Sequence, residues 1–178
     1  MSPPGRTFIA LVPSPEIGAA AADRLSSVAI PGRPVPPRNW HVTLRFVGPI
    51  DDPTYDRWLW SLSQVHCPPI RIRLKGMGAF PRARKATVFW LDMDGSGLDE
   101  LAGAIEEATI AAGLPGEDRP FQAHLTLSRL RPPQDVRALI EATQPLDLVW
   151  KVDGFHVMAA VGSTYQIFDS FPLGGRVS

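Results

Sequence analysis

A single cysteine, Cys67, leaves no partner for an intrachain disulfide, and no Cys₄ or Cys₂His₂ zinc set. No apolar run is long enough to span a bilayer, so no membrane association is expected. Charge of one sign is also lacking. Lys plus Arg and Asp plus Glu number 18 each, so no global field draws in a polyanion, and any nucleic-acid contact has to be local. Met1 to Arg6 is short and polar, without the apolar stretch of a signal peptide, and a cytoplasmic protein is expected. There is no Gly-x-Ser-x-Gly elbow, no P-loop, no dinucleotide fingerprint and no His-Glu-x-x-His. What is present is 44% hydrophobic and 20% charged over 178 residues, which fits one domain, 1–178, with a sizeable core.

The periodic segments come in order. Thr7 to Val12 reads as a buried strand ending at Pro13. Ser14-Pro15-Glu16 opens a helix, with Ile17, Ala21, Leu25 and Val28 as its inner face. Pro31 to Arg38 holds four prolines and is expected to be an extended loop. Trp40 to Val47 is a strand. Asp52-Pro53 opens a second helix on Tyr55, Trp58, Leu59, Leu62 and Val65, which Pro68-Pro69 stops. His66, at that helix end, reads as a partner for the negative end of the dipole. Ile70 to Leu74 alternates strictly, with Arg71, Arg73 and Lys75 opposite the apolar residues. That basic side is either a solvated face or a wall beside a phosphate groove. Gly76 to Lys85 reads as a hairpin-like connection, and Ala86 to Met93 as the returning strand.

The second half follows a similar order. Ser96 to Ala112 is a helix closed by Gly113. Phe121 to Leu130 is a strand, broken at Pro132-Pro133. A short helix on Val136, Leu139 and Ile140 follows. Leu148 to Val161 and Thr164 to Phe171 form a closing pair around Gly162-Ser163, and the tail from Gly174 is expected to fray. The hairpin-like pairs argue for antiparallel sheets and an α+β class.

Two stretches carry chemistry: His41-Val42-Thr43-Leu44 and His124-Leu125-Thr126-Leu127. With 8 Thr in the chain, a given His has Thr two places on about 4% of the time, and two of the four His doing so by accident is roughly a 1% event. The bland alternative is two buried strands, each with a hydrogen-bonded His. On a strand, His and Thr two apart share a face, and Val42, Leu44, Leu125 and Leu127 anchor the other. Two such half-sites facing each other can divide the work of a displacement at phosphorus. One His takes a proton from the nucleophile and the other gives one to the leaving group. The Thr hydroxyls would donate to the non-bridging oxygens. Arg45 shares the parity of His41 and Thr43 and is expected to point into the site. Arg129, five places after His124, faces away on an ideal strand and reaches a phosphate only if the strand bends. His156 has no Thr companion and reads as structural. Carboxylates near the motifs are few, so no metal is expected.

These motifs resemble those of the 2H phosphoesterases. Within that superfamily the chain is similar to the RNA 2′,3′-cyclic phosphodiesterases, historically called 2′-5′ RNA ligases. The likeness includes Arg6 to Leu11, Trp40 to Gly48, Gly76 to Pro81 and Arg119 to Arg129. It implies a two-lobed fold, with two antiparallel sheets facing a central cleft, helices outside and a pseudo-twofold. It also implies opening of a 2′,3′-cyclic phosphate by water to a 2′-phosphate, with no cofactor or metal. Carried over, His41 and His124 are the acid–base pair, and Thr43 and Thr126 hold the phosphate. Arg129 helps bind it, with Arg45 as a further candidate, and Phe46 is a candidate base contact. The partners implied are RNA ends or nucleotides bearing the cyclic phosphate, met by a monomer. Three alternatives stay open: a phosphodiesterase of small cyclic nucleotides, a 2′-5′ RNA ligase and a non-catalytic nucleotide- or RNA-binding module. Two departures stand out. Gln122 and Ala123 replace a basic residue and a Pro, and the loop at Gly162-Ser163-Thr164-Tyr165 is short.

Overall fold

The computed structural model describes residues 1–174. The expected fraying of the tail beyond Gly174 lies outside the described residues. Strands β1 (Thr7–Leu11), β2 (Arg33–Pro34), β3 (Val42–Gly48), β4 (Ile70–Phe80), β5 (Ala86–Asp94), β6 (His124–Gln134), β7 (Leu148–Val152), β8 (Gly154–Val161) and β9 (Thr164–Pro172) alternate with four helices. These are α1 (Pro15–Leu25), α2 (Asp52–Ser63), α3 (Leu98–Ala111) and α4 (Arg137–Ala142). Two antiparallel sheets result. One has the order β3-β1-β8-β9 and the other β2-β6-β5-β4-β7. The class is α+β, as the sequence predicts.

Alternation explains the packing. Ile9 and Leu11 of β1, Ile70, Ile72 and Leu74 of β4, and Leu125 and Leu127 of β6 turn one face of each sheet into a common core. Helices α1, α2 and α3 add Leu25, Trp58, Leu62, Leu101 and Ile105. Ser14 caps α1 and Asp51 caps α2, and each has Pro in the first turn. Trp58 of α2 donates its indole N–H to the Thr109 hydroxyl of α3 at 3.0 Å, so the buried polar groups between these helices are paired.

Several boundaries differ from the sequence reading. Gly76 to Phe80 belongs to β4, and the connection is only residues 81–85. Gly78 signals close packing there and not a turn. A Cβ at Gly78 would lie 2.4 Å from the Trp90 ring, so the indole lies on the bare backbone of the neighbouring strand. Strand β6 runs through Pro132-Pro133 because its ladder to β2 ends at Arg129 and its register with β5 is broken between Arg129 and Gln134, so neither neighbour pairs with those prolines. Leu148 to Val161 is two strands in different sheets, divided at Asp153. The proline-rich loop contains β2, which fastens it to β6. His66 lies beyond the Gln64 C-cap of α2, exposed, and is not in the last helical turn.

Candidate active site

Strands β3 and β6 touch although they belong to different sheets, and this brings the two motifs to one cleft. Its volume is about 870 Å³. Thr43 and Phe46 line it from one sheet, His124, Thr126 and Arg129 from the other, and Glu106 from α3. His41 immediately precedes β3, and its ring packs against Phe8 (centroids 5.1 Å, tilted) and edge-to-face against Tyr165 (4.8 Å). His124 opens β6 and lies against Phe80 (5.0 Å) and Trp90 (5.9 Å).

The two imidazoles are held alike. Nδ1–H of His41 donates to the carbonyl of Asn39 at 2.8 Å, and Nδ1–H of His124 to that of Gln122 at 2.8 Å. A carbonyl can only accept, so each neutral ring carries its proton on Nδ1 and keeps the Nε2 lone pair free for a substrate. Burial holds His41 below its ordinary pKa of 6.5. The Asn39 bond opposes this, while the nearby charges of His124 and Arg129 add to it. The aromatic walls and carbonyl anchors were not foreseen from sequence. The one available signal was that Asn39 and Gln122 both stand two residues before a motif His.

A pair of bulges decides the faces of both arginines, and the second supplies the bend that Arg129 needs to reach the site. Consecutive Ile9 and Ala10 of β1 face Arg45 and Thr43 of β3, so Leu44 is an extra residue in a bulge. Consecutive Phe89 and Trp90 of β5 face Ser128 and Thr126 of β6, so Leu127 is the matching extra residue. Beyond each bulge the alternation flips. Leu44 and Arg45 are both buried before exposed Phe46, just as Leu127 and Ser128 are both buried before exposed Arg129. Phe46 pairs with Phe8, which shares a face with Ala10 and so with Thr43. Arg129 pairs with Val88, which shares a face with Trp90 and Asp92 and so with Thr126 and His124. Arg129 and Phe46 therefore occupy equivalent places on the site faces of the two sheets.

Arg45 also lines the cleft, but its guanidinium is taken up by protein groups toward α3 rather than left free for a phosphate. Only 9% exposed, it donates from Nε to Glu106 and from its terminal nitrogens to the carbonyls of Phe46 and Pro115. Glu106 in turn accepts from the Glu117 N–H at 2.6 Å. This network ties β3 to α3 and to the loop that delivers the chain to His124.

The remaining candidates are placed as follows. Arg73 pairs with Asp147 at 3.3 Å and Lys75 with Asp94 at 3.2 Å, and neither they nor Arg71 line the cleft. This favours the solvated-face reading. The ring of His156 bonds the Ser170 hydroxyl at 2.8 Å through Nδ1, consistent with a structural part. Among the described residues no three His, Cys, Asp or Glu side chains cluster as a metal-binding set, and no helix is long and apolar enough to cross a membrane. The hydroxyls of Thr43 and Thr126 are unengaged by protein groups among the described residues.

A family model described as the 2′-5′ RNA ligase superfamily matches residues 13–164. A Thermus thermophilus protein named RNA 2′,3′-cyclic phosphodiesterase is 31% identical over 189 residues, covering 96% of this chain and 91% of that protein. An Aeropyrum pernix protein of the same name is 29% identical over 125 residues, covering 69% of this chain and 71% of that protein. In fold, the chain is similar to Escherichia coli LigT complexed with 3′-AMP, at a TM-score of 0.80 and 24% identity over 97% of this chain and 100% of that one. The family match spans both His-Thr strands and the cleft between them, and on that ground the chain belongs to the 2′-5′ RNA ligase superfamily.

Proposed function

We propose that this protein hydrolyses 2′,3′-cyclic phosphate ends of RNA to 2′-phosphates. The observation that carries the reading is the pair of imidazoles on touching strands, each with Nδ1–H tied to a carbonyl and Nε2 free. Water attacks phosphorus in line with O3′. One His takes the proton from the water as the P–O bond forms. The P–O3′ bond breaks, and the other His delivers a proton to O3′, leaving a 3′-hydroxyl and a 2′-phosphate. The hydroxyls of Thr43 and Thr126 and the guanidinium of Arg129 meet the charge on the non-bridging oxygens. Phe46, 44% exposed at the cleft, offers a face to the base.

The two His come from different sheets, so neither lobe carries a complete site, and residues 1–178 act as one unit. RNA ends or nucleotides with the cyclic phosphate are its partners, in the cytoplasm, and the relatives' names support that class. The test is incubation of the purified protein, with chelator, with 2′,3′-cyclic nucleotides and cyclic-ended RNA, read by phosphorus NMR. A 2′-phosphate is expected in the presence of chelator. No turnover, turnover only with added metal, or a 3′-phosphate would refute the corresponding part of the reading.

A further inference from the structure

Near the β2 edge of the second sheet, two arginines that the site does not use, Arg33 and Arg131, stand beside Arg129. Arg33 of β2 lies directly opposite Arg129 of β6, so the two share a face. Arg131 follows two residues on, exposed like Arg129 with buried Leu130 between them, just where the register of β6 with β5 breaks before Gln134. All three are exposed, and among the described residues none forms an ion pair. Two like charges directly opposite on neighbouring strands are unfavourable unless an anion lies between or beside them. By contrast, Arg73 and Lys75 on β4, two strands away in the same sheet, are matched by carboxylates.

Arg33 is also held in place. The segment that carries it follows Gly32, whose φ is +75° and whose backbone lies so close to β6 that a Cβ would come within 2.5 Å of the Arg129 carbonyl oxygen. Val35 N–H donates to Leu127 O at 2.8 Å, and the Trp40 indole N–H to Val35 O at 3.0 Å. The proline-rich loop is thus clamped to β6 with Arg33 beside Arg129. In a chain with no net charge, this is a local field of one sign.

We propose that Arg33 and Arg131 form a track for the RNA backbone upstream of the cleaved phosphate, binding the phosphodiesters on the 5′ side of the terminal nucleotide. The proposal rests on the cyclic-phosphate reading for the position of the RNA end. The spacing of Arg129 and Arg131 along the strand is comparable to that of successive phosphates on an extended single strand. The track makes the protein prefer a polymer end over a mononucleotide, by charge and without reading sequence.

The test compares wild type with Arg33→Glu, Arg131→Glu and Arg33→Gln, using Arg71→Glu as a charge control on another strand. Two readouts are taken. The first is turnover of a 2′,3′-cyclic mononucleotide against a cyclic-ended single-stranded RNA hexamer. The second is binding of a labelled hexamer ending in an ordinary 3′-phosphate, by fluorescence anisotropy across a salt series. Charge reversal at either position is expected to weaken hexamer binding and raise its KM about fivefold or more, and to flatten the salt dependence by roughly one unit of slope. Mononucleotide turnover should stay within about twofold of wild type, which also shows that the variants fold. Equal losses on both substrates, unchanged hexamer binding, or the same loss from Arg71→Glu would overturn the track. If wild type turns over neither cyclic substrate, the catalytic reading fails, while the anisotropy series still decides the track.

Discussion

Arg45 and Arg129 are near-neighbours of their motifs in sequence, yet the two bulges send them to opposite sides of their sheets. Arg45→Met and Arg129→Met are therefore expected to fail differently. Met keeps the apolar stem of Arg45 in its 9%-exposed place but removes the charge shared by Glu106, Phe46 O and Pro115 O. Breaking a fully buried pair costs about 3–5 kcal/mol. Here Glu106 is 27% exposed and can regain some water, so about 2–4 kcal/mol is expected. For a chain of this size that is a fall in Tm of roughly 5–15 °C. Adding Glu106→Gln should recover part of it, since the orphaned charge is then gone. Arg129→Met removes an exposed, unpaired cation, so stability should change by no more than about 0.5 kcal/mol. Its kcat/KM should fall about 10–100-fold, the worth of one charged hydrogen bond to the phosphate. Calorimetry and initial rates with a 2′,3′-cyclic nucleotide separate the two. A stable Arg45→Met with activity as poor as Arg129→Met would refute the assignment of sides.

His41→Ala and His124→Ala should each reduce turnover about 10²–10⁴-fold with the fold retained by circular dichroism, and near-normal rates in either variant would remove the paired-His mechanism. Thr43→Val or Thr126→Val keeps the branched shape and loses one donor, so kcat/KM should fall by about 1–3 kcal/mol, with Thr→Ser milder; unchanged values would make the hydroxyls structural. Burial lowers the pKa of both His41 and His156 from 6.5. The unfolded chain therefore binds more protons below that value, and stability is full above about pH 6.5 and lost as pH falls through the folded values. Thermal melts between pH 7 and 5 should show a falling Tm that His156→Gln partly relieves. Rates over a broad pH range should give a bell whose limbs belong to the His pair and not to either residue alone, and a flat profile would count against acid–base catalysis.

The elements that alternation or helical spacing sets locally were legible in the sequence. The strand at Thr7, the helices opening at Ser14 and Asp52, and the His-Thr pairs follow from period and capping chemistry alone. Where reading failed, a distant contact had replaced the local rule. Gly76 and Gly78 look like turn residues, but Gly78 is bare because Trp90 fills its side-chain space from the next strand. Pro132 and Pro133 look like breakers, but they fall where the ladder to β2 has ended and the register with β5 is broken. Arg33 sits among prolines that suggest a free loop, and only its register with Arg129 reveals a place in a sheet. Most costly for the site was the assumption of unbroken alternation, because Leu44 and Leu127 give no sign in themselves of being extra residues.

Those two leucines also make the cleft directional. Without the bulges, the site faces would carry Arg45 and Ser128 after the threonines. With them, an aromatic ring and a cation stand at related ends of an otherwise near-symmetric pair of half-sites. A cyclic phosphate could lie in a fully symmetric cleft in either of two senses, and each sense would send the proton to a different ester oxygen. Phe46 and Arg129 remove that degeneracy. One sense sets the ring against the base and the guanidinium against the phosphate, and the reverse sense wastes both. A charged hydrogen bond worth about 1.5–3 kcal/mol weights the two senses by roughly 10–100 to one. The regiochemistry of the product would then be set by two inserted leucines whose side chains are buried.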